Sequence, residues 1–281
     1  MIGPGKIALT RQFLEAATIG LADYAVGFVK IMDDRAPIDA QLAGSGTLVA
    51  IDDTHAILTA DHVLRHLPSA GEVGLILPTR FTPQAHNFSL RMEFAEKVSV
   101  GRGSVEADGP DLALLVLPPS VVGTIRASKS FYNLPRLQEQ ALAPRWPTDV
   151  GIWCLCGVAH EWTSDAEPER GYKRVKIFRG MCGSGKVIGE QTRDGWDYIN
   201  FGAKYGPGYE GPHSFEGCSG GGLWQIVIGK SETGEAVVTE TVLLGVAFYQ
   251  CAVEDGTRVI RCHGRRSIYG PAVAKIRGTA S

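Results

Sequence analysis

Apolar residues fall in short runs separated by turn residues along most of the chain, a pattern that predicts strands rather than packed helices. Gly46 to Ile51 and Ala56 to Thr59 flank Asp52-Asp53-Thr54-His55, which predicts a hairpin. Before them, Thr10 to Ala17 has helical character, Tyr24 to Ile31 reads as a strand, and a polar, proline-containing loop runs to Gln41. Val73 to Leu77 and Leu112 to Leu117 are continuous apolar runs of the kind found in buried strands. From Pro118 to Trp146 the pattern weakens among Pro118, Pro119, Pro135 and Pro144, as expected of a connector. Strands then resume at Val150 to Cys154, Arg174 to Phe178, Leu223 to Ile228 and Val242 to Phe248, and the tail from Tyr269 to Arg277 predicts a short helix. The chain divides into a helical extension (1–22), a first β unit (23–135), a connector (136–149) and a second β unit (150–281).

Composition agrees with an all-β reading, because 35 glycines in 281 residues suit many turns, and a chain of this length buries a core without disulfides or metals. The net charge of −2 gives no polyanion-binding surface, so nucleic acid is not an expected partner. The apolar stretch from Phe13 to Val29 is broken by Glu15 and Asp23 and has no cleavage pattern, so neither a signal peptide nor a membrane partner is expected. Six cysteines without an export signal read as mainly reduced and buried, which places the protein in the cytoplasm.

Three segments carry residue types suited to nucleophilic chemistry. In Glu216-Gly217-Cys218-Ser219-Gly220-Gly221-Gly222-Leu223 a serine is set among glycines, which free nearby N–H groups to point into one hole and leave room for substrate. His62, in Leu58-Thr59-Ala60-Asp61-His62, follows directly on an apolar strand, and Asp111 opens the run Leu112 to Leu117, where a carboxylate can orient an imidazole. Taken singly, each also fits an ordinary surface turn, a lone histidine or a turn carboxylate.

Together they resemble the chymotrypsin/trypsin-like serine peptidases. Gly44-Ser45-Gly46-Thr47-Leu48-Val49 is similar to that family's small-residue strand, Thr59-Ala60-Asp61-His62 to its Thr-Ala-Ala-His, Asp111-Leu112-Ala113-Leu114-Leu115 to its Asp-Ile-Ala-Leu-Leu, and Gly217-Cys218-Ser219-Gly220-Gly221 to its Gly-Asp-Ser-Gly-Gly. The order His, Asp, Ser also agrees. The resemblance implies two packed six-stranded antiparallel β-barrels, with short terminal helices and the site in the cleft between them. It further implies Ser219 as nucleophile, His62 as general base, Asp111 as the orienting residue, and the N–H groups of Gly217 and Ser219 as the oxyanion hole. The substrate would be a protein or peptide, and no cofactor is implied.

Three departures qualify the match. Cys218 replaces the acidic residue that pairs with a freed N-terminus in zymogen-activated members, Gly222 stands where proline is usual, and Asp61 puts a second carboxylate beside His62 that could raise its pKa or face solvent. For substrate binding, Phe248-Tyr249-Gln250 resembles the edge that pairs with an extended peptide, and His213 falls where the family sets the base of its specificity pocket, which suggests an acidic or polar preference.

Rival motifs are incomplete. Gly180-Met181-Cys182-Gly183-Ser184-Gly185-Lys186 matches most of a P-loop, but Val187 takes the place of the magnesium-binding hydroxyl and no helix follows, so a β-turn is expected there. The α/β-hydrolase elbow needs a helix after Ser219, where Leu223 to Ile228 reads as a strand. His62 and His66 lack the glutamate of the zinc-protease motif. A catalytically silent protease-like fold acting as a protein-binding module is the rival from another class. With Cys218 and no visible activation site, the peptidase is expected to fold active without processing. N-terminal sequencing of active protein should find the original start, and loss of the first tens of residues from the active form would overturn this.

Overall fold

The computed structural model describes residues 10–31, 40–78, 86–103, 109–166 and 175–279. The chain is mostly β, with antiparallel sheets and few, short helices. Thr10 caps helix α1 (Arg11–Ile19), its hydroxyl accepting from the Phe13 N–H at 3.1 Å. The first sheet follows, from strands β1 (Ala25–Ile31), β2 (Ala40–Ile51), β3 (Thr54–Thr59), β4 (Glu72–Leu77), β5 (His86–Arg91), β6 (Glu96–Arg102), β7 (Asp111–Val116) and β8 (Tyr132–Asn133). Its neighbour order is β5-β4-β1-β2-β3-β7-β6, with β8 pairing β2 off that path. Helix α2 (Asp61–His66) follows β3, while α3 (Pro119–Arg126) and α4 (Gln138–Leu142) lie in the stretch expected to be a connector. The second half holds β9 (Ile152–Val158), a separate pair β10 (Ser164–Ala166) and β11 (Val175–Ile177), then β12 (Gly180–Arg193), β13 (Trp196–Lys204), β14 (Gly222–Lys230), β15 (Ala236–Glu254) and β16 (Thr257–His263). Strands β12-β13-β16-β15-β14-β9 pair in a closed ring.

Two closed six-stranded barrels are therefore more than the pairing gives. Strand β5 extends the first sheet beyond β4, and among the described residues the path ends at β5 and β6 without pairing them. The Gly180–Lys186 segment is not a turn but the start of β12, where a side chain on Gly185 would collide with Phe201 and Gly202. The glycine accommodates an aromatic ring, not a phosphate. The hairpin is tight, with Ile51 opposite Thr54 and Asp52 at φ +53°. The proline-containing loop after Ile31 and Arg174 lie largely or wholly outside the described residues. The tail is helical from Arg265 to Thr279 in three consecutive segments. No helix among the described residues is long and apolar enough to cross a membrane.

Period-two side-chain placement sorts the strands into three large cores and a small one around Val29, Leu42, Ile76, Val158 and Phe178. In β7, Ala113 and Leu115 pack with Val26, Phe28 and Leu48 inside the first sheet, whereas Leu112 and Leu114 face the second half. In β9, Trp153 and Leu155 fill the ring with Phe201 and Leu223, whereas Cys154 and Cys156 turn outward to meet them. Strands with both faces covered lose alternation, which is why their sequences read as continuous apolar runs.

Aromatic packing locks the middle core. Trp224 of β14 is fully buried, stacked on Tyr24 at 5.3 Å and edge-on to Tyr132 of β8 at 5.1 Å. Trp224→Ala is expected to cost about 3–5 kcal/mol in urea unfolding followed by circular dichroism, and a loss below about 1 kcal/mol would mean that this contact does not hold the halves together.

Candidate active site

Sheet pairing closes the 49-residue gap between His62 and Asp111. Thr59 at the end of β3 lies opposite Ala113 of β7, so two residues further on, the start of α2 meets the start of β7. Asp111 is 1% exposed, and its carboxylate takes two bonds from one residue. Oδ1 accepts the His62 backbone N–H at 2.7 Å, and Oδ2 accepts His62 Nδ1–H at 2.5 Å. An ionised carboxylate only accepts, so this geometry keeps the imidazole proton on Nδ1 and leaves Nε2 as a free proton acceptor.

Asp61 neither faces solvent nor stands free beside this pair. It is 2% exposed and is held by Arg65 Nε at 3.0 Å and Arg102 Nε at 3.1 Å, so two guanidinium groups take up its charge.

The serine turn is assembled from both halves. Ser45 of β2 donates its backbone N–H to the Ser219 carbonyl at 2.7 Å. The Ser45 hydroxyl donates to Gly217 O at 2.7 Å and accepts from Val158 N at 2.8 Å. Gly217 and Gly220 both have φ near +90°, at +87° and +88°. Any side chain on Gly220 would collide with Ser45 O and Thr59 Oγ1, and one on Gly217 with Leu42 and Val158 O. Glycine is required at both positions for conformation and for space.

The Glu216 carbonyl accepts from His160 N at 2.8 Å. Since the carbonyl and the next N–H lie on opposite sides of one planar peptide, this bond turns the Gly217 N–H the other way. Neither the Gly217 nor the Ser219 N–H donates to a protein acceptor among the described residues, leaving two donors for an external oxygen. Cys218 between them points into the protein, its thiol 3.5 Å from Met181 Sδ and pushed up to about 12 by burial. All six cysteines are free, four of them buried.

A cavity of about 360 Å³ brings together His62, Ser219, Gly217 and the Phe248–Gln250 edge. Ser219 Oγ makes no hydrogen bond to His62 among the described residues, although both line this cavity. The inner part of the edge is anchored: Gly220 N donates to Ala247 O at 2.6 Å, and Gln250 Oε1 accepts Phe215 N at 2.9 Å. The Phe248 ring turns away, packing 4.9 Å from His263. His213 does not join the site. It is exposed and lies outside the cavity lining, with its ring against Tyr205 at 5.1 Å and its carbonyl taking the Tyr205 hydroxyl at 2.7 Å. The tyrosine contacts hold the loop outward, so a pocket-base role for His213 is set aside.

Several neighbours were not assigned to this site from sequence. His66 lines the cavity with its ring 6.0 Å from His62; burial, then the charge of His62, lowers its pKa. His160 lines it as well. Ser45 is a fully buried hydroxyl between two glycines of a mostly apolar strand, and that setting is the signal that could have found it. His263, at the end of β16, is fully buried and accepts the Asp111 backbone N–H at Nε2, 2.8 Å away. No protein-family model matches the chain, and no curated protein matches it.

Burial lowers the His263 pKa to about 4, against the opposing pull of Asp111 and then Asp197. The unfolded chain therefore binds a proton that the folded chain refuses between pH 6.5 and 4, so this contribution to stability is present above pH 6.5 and is lost as pH falls to about 4. The loss should reach roughly 3 kcal/mol. Denaturant unfolding at stepped pH should show this component in the wild type and not in His263→Gln, and equal pH slopes in the two proteins would refute it.

Proposed function

We propose that the chain is a trypsin-like serine endopeptidase built on two packed β-barrels, with Ser219, His62 and Asp111 as its triad. The reading rests above all on Asp111 gripping His62 through both the backbone N–H and Nδ1–H, in a cavity shared with Ser219. His62 Nε2 takes the Ser219 hydroxyl proton as Oγ bonds to the peptide carbonyl carbon. The N–H groups of Gly217 and Ser219 receive the oxygen as it gains negative charge. Collapse breaks the C–N bond, His62 returns the proton to the leaving amine, and water hydrolyses the acyl-enzyme by the same route. Asp111 stays ionised throughout.

An extended peptide fits the Phe248–Gln250 edge, whose backbone would extend the β15 ladder towards the cavity. The buried, neutral Cys218 thiol needs no freed N-terminus as partner, which supports a peptidase competent as folded. The missing Ser219–His62 hydrogen bond favours the rival reading, a silent module that binds peptides without cutting them, although such bonds are often long before substrate arrives.

Labelling by a fluorophosphonate separates the two. The wild type should displace fluoride from the probe and carry phosphonyl on Ser219, while Ser219→Ala should not label. Asp111→Asn should label and hydrolyse unfolded protein substrates about 10⁴-fold more slowly, because the imidazole is then held in the wrong tautomer. A folded wild type that neither labels nor cleaves would leave the binding module as the better reading.

A further inference from the structure

His263 does not line the cavity, yet it is the second half's one side-chain hydrogen bond to Asp111 among the described residues. We propose that His263 is a positioning residue for the triad: its Nε2 lone pair clamps the Asp111 backbone N–H and so fixes the carboxylate of the first sheet relative to the serine turn of the second. This rests on the peptidase reading above.

The local topology leaves this amide to His263. The β3–β7 ladder stops at Thr59 opposite Ala113, and beyond it the Asp111 N–H finds its acceptor across the interface. His263 itself is fixed by pairing on two sides, opposite Tyr198 of β13 and Val246 of β15. Its ring sits among Trp196, Tyr198 and Phe248, with centroids 5.5, 5.2 and 4.9 Å away. By its packing alone such a box suits an apolar side chain. The imidazole is harder to accommodate, because accepting at Nε2 places its proton on Nδ1, which is buried with no protein partner among the described residues. What the histidine supplies that an apolar residue cannot is the acceptor for Asp111. The charged groups acting on it are Asp111 and Asp197, and the latter is already occupied by the N–H groups of Arg266 and Ser267 at 2.9 and 2.7 Å.

The clamp matters because Asp111 works only while both its oxygens stay aimed at His62. A misplacement of about 1 Å in such a group costs on the order of 100-fold in rate. His263→Phe keeps the aromatic box and removes the acceptor, whereas His263→Gln offers an amide oxygen in its place. In His263→Phe, kcat should fall about 10- to 100-fold with KM unchanged. The acid limb of kcat/KM should move to lower pH, because His62 loses part of its carboxylate support. The downfield His62 Nδ1–H proton resonance should shift or broaden, and His263→Gln should recover much of each change. If both variants lose only thermal stability, with kcat, acid limb and resonance intact, the clamp is refuted.

Nitrogen-15 histidine spectra of the wild type give a test that needs no variant to fold. They should report the Nδ1–H tautomer for His263 and a coupling from its Nε2 to the Asp111 amide, and an Nε2–H tautomer would overturn the proposal. The two readings fail separately. A wild type without peptidase activity removes the peptidase reading, while the His62 resonance, compared between wild type and His263→Phe, still decides the clamp.

Discussion

One hydroxyl, Ser45 Oγ, sits where the first sheet, strand β9 and the serine turn meet. It donates to Gly217 O and accepts from Val158 N, while the same residue's N–H holds Ser219 O and its carbonyl receives Thr59 Oγ1 at 2.6 Å. Four groups are therefore satisfied at one fully buried position, and Thr59 lies three residues before His62. Loss of the hydroxyl would leave the buried Val158 N–H unpaired, at about 1–3 kcal/mol, and the half-buried Gly217 carbonyl without this donor. Only small residues fit around it. The collisions that a side chain on Gly220 or Gly217 would make are with this knot and the strands it joins, so packing alone already requires glycine in the serine turn.

Electrostatics around the site follow from burial. Asp111 and Asp61 are both almost fully buried, and each is compensated by a different chemistry. Asp61 meets two arginines and is fully paired, whereas Asp111 meets an imidazole and one backbone N–H, which stabilise charge without cancelling it. That difference leaves Asp111 able to support an imidazolium and Asp61 only able to anchor α2. His263 lies on the far side of Asp111 as a neutral acceptor, because desolvation of its charged form outweighs the attraction of two aspartates.

Much of this was legible from sequence where burial left a continuous apolar signature. Strands β1, β2, β3 and β7, and the inner parts of β14 and β15, are covered on both faces, so their runs stand out. Strand β12 alternates exposed and half-buried positions over most of its length, many of them glycine or polar, and its glycines pass equally well for a turn until Phe201 is seen against Gly185. His62, Asp111 and Ser219 stand out in the sequence because each sits at a strand or turn end with a distinctive local sequence. His213 was misplaced because an offset of six residues from Ser219 fixes distance along the chain and says nothing about Tyr205 and Tyr209, which draw the loop outward. His263 had no local signal at all. Its placement comes from the pairing of β16 with β13 and β15, which brings it to an aspartate 152 positions away.

The division of labour between the halves gives the middle core a second duty. Asp111 and His62 ride on the first sheet and Ser219 on the second, so their relative placement depends on the side chains between the sheets: Leu112 and Leu114 from one side, Cys154, Cys156 and Trp224 from the other. A core at crystal-like density relaxes only partially around a cavity, so a truncation there weakens the contact between the sheets. The hydrogen bonds that cross the same interface, Ser45 to the serine turn and Asp111 to His263, are short and directional, and they fix the register that apolar packing leaves loose. Apolar contact brings the halves together, and these few polar contacts select the one alignment in which the imidazole and the hydroxyl face the same cavity.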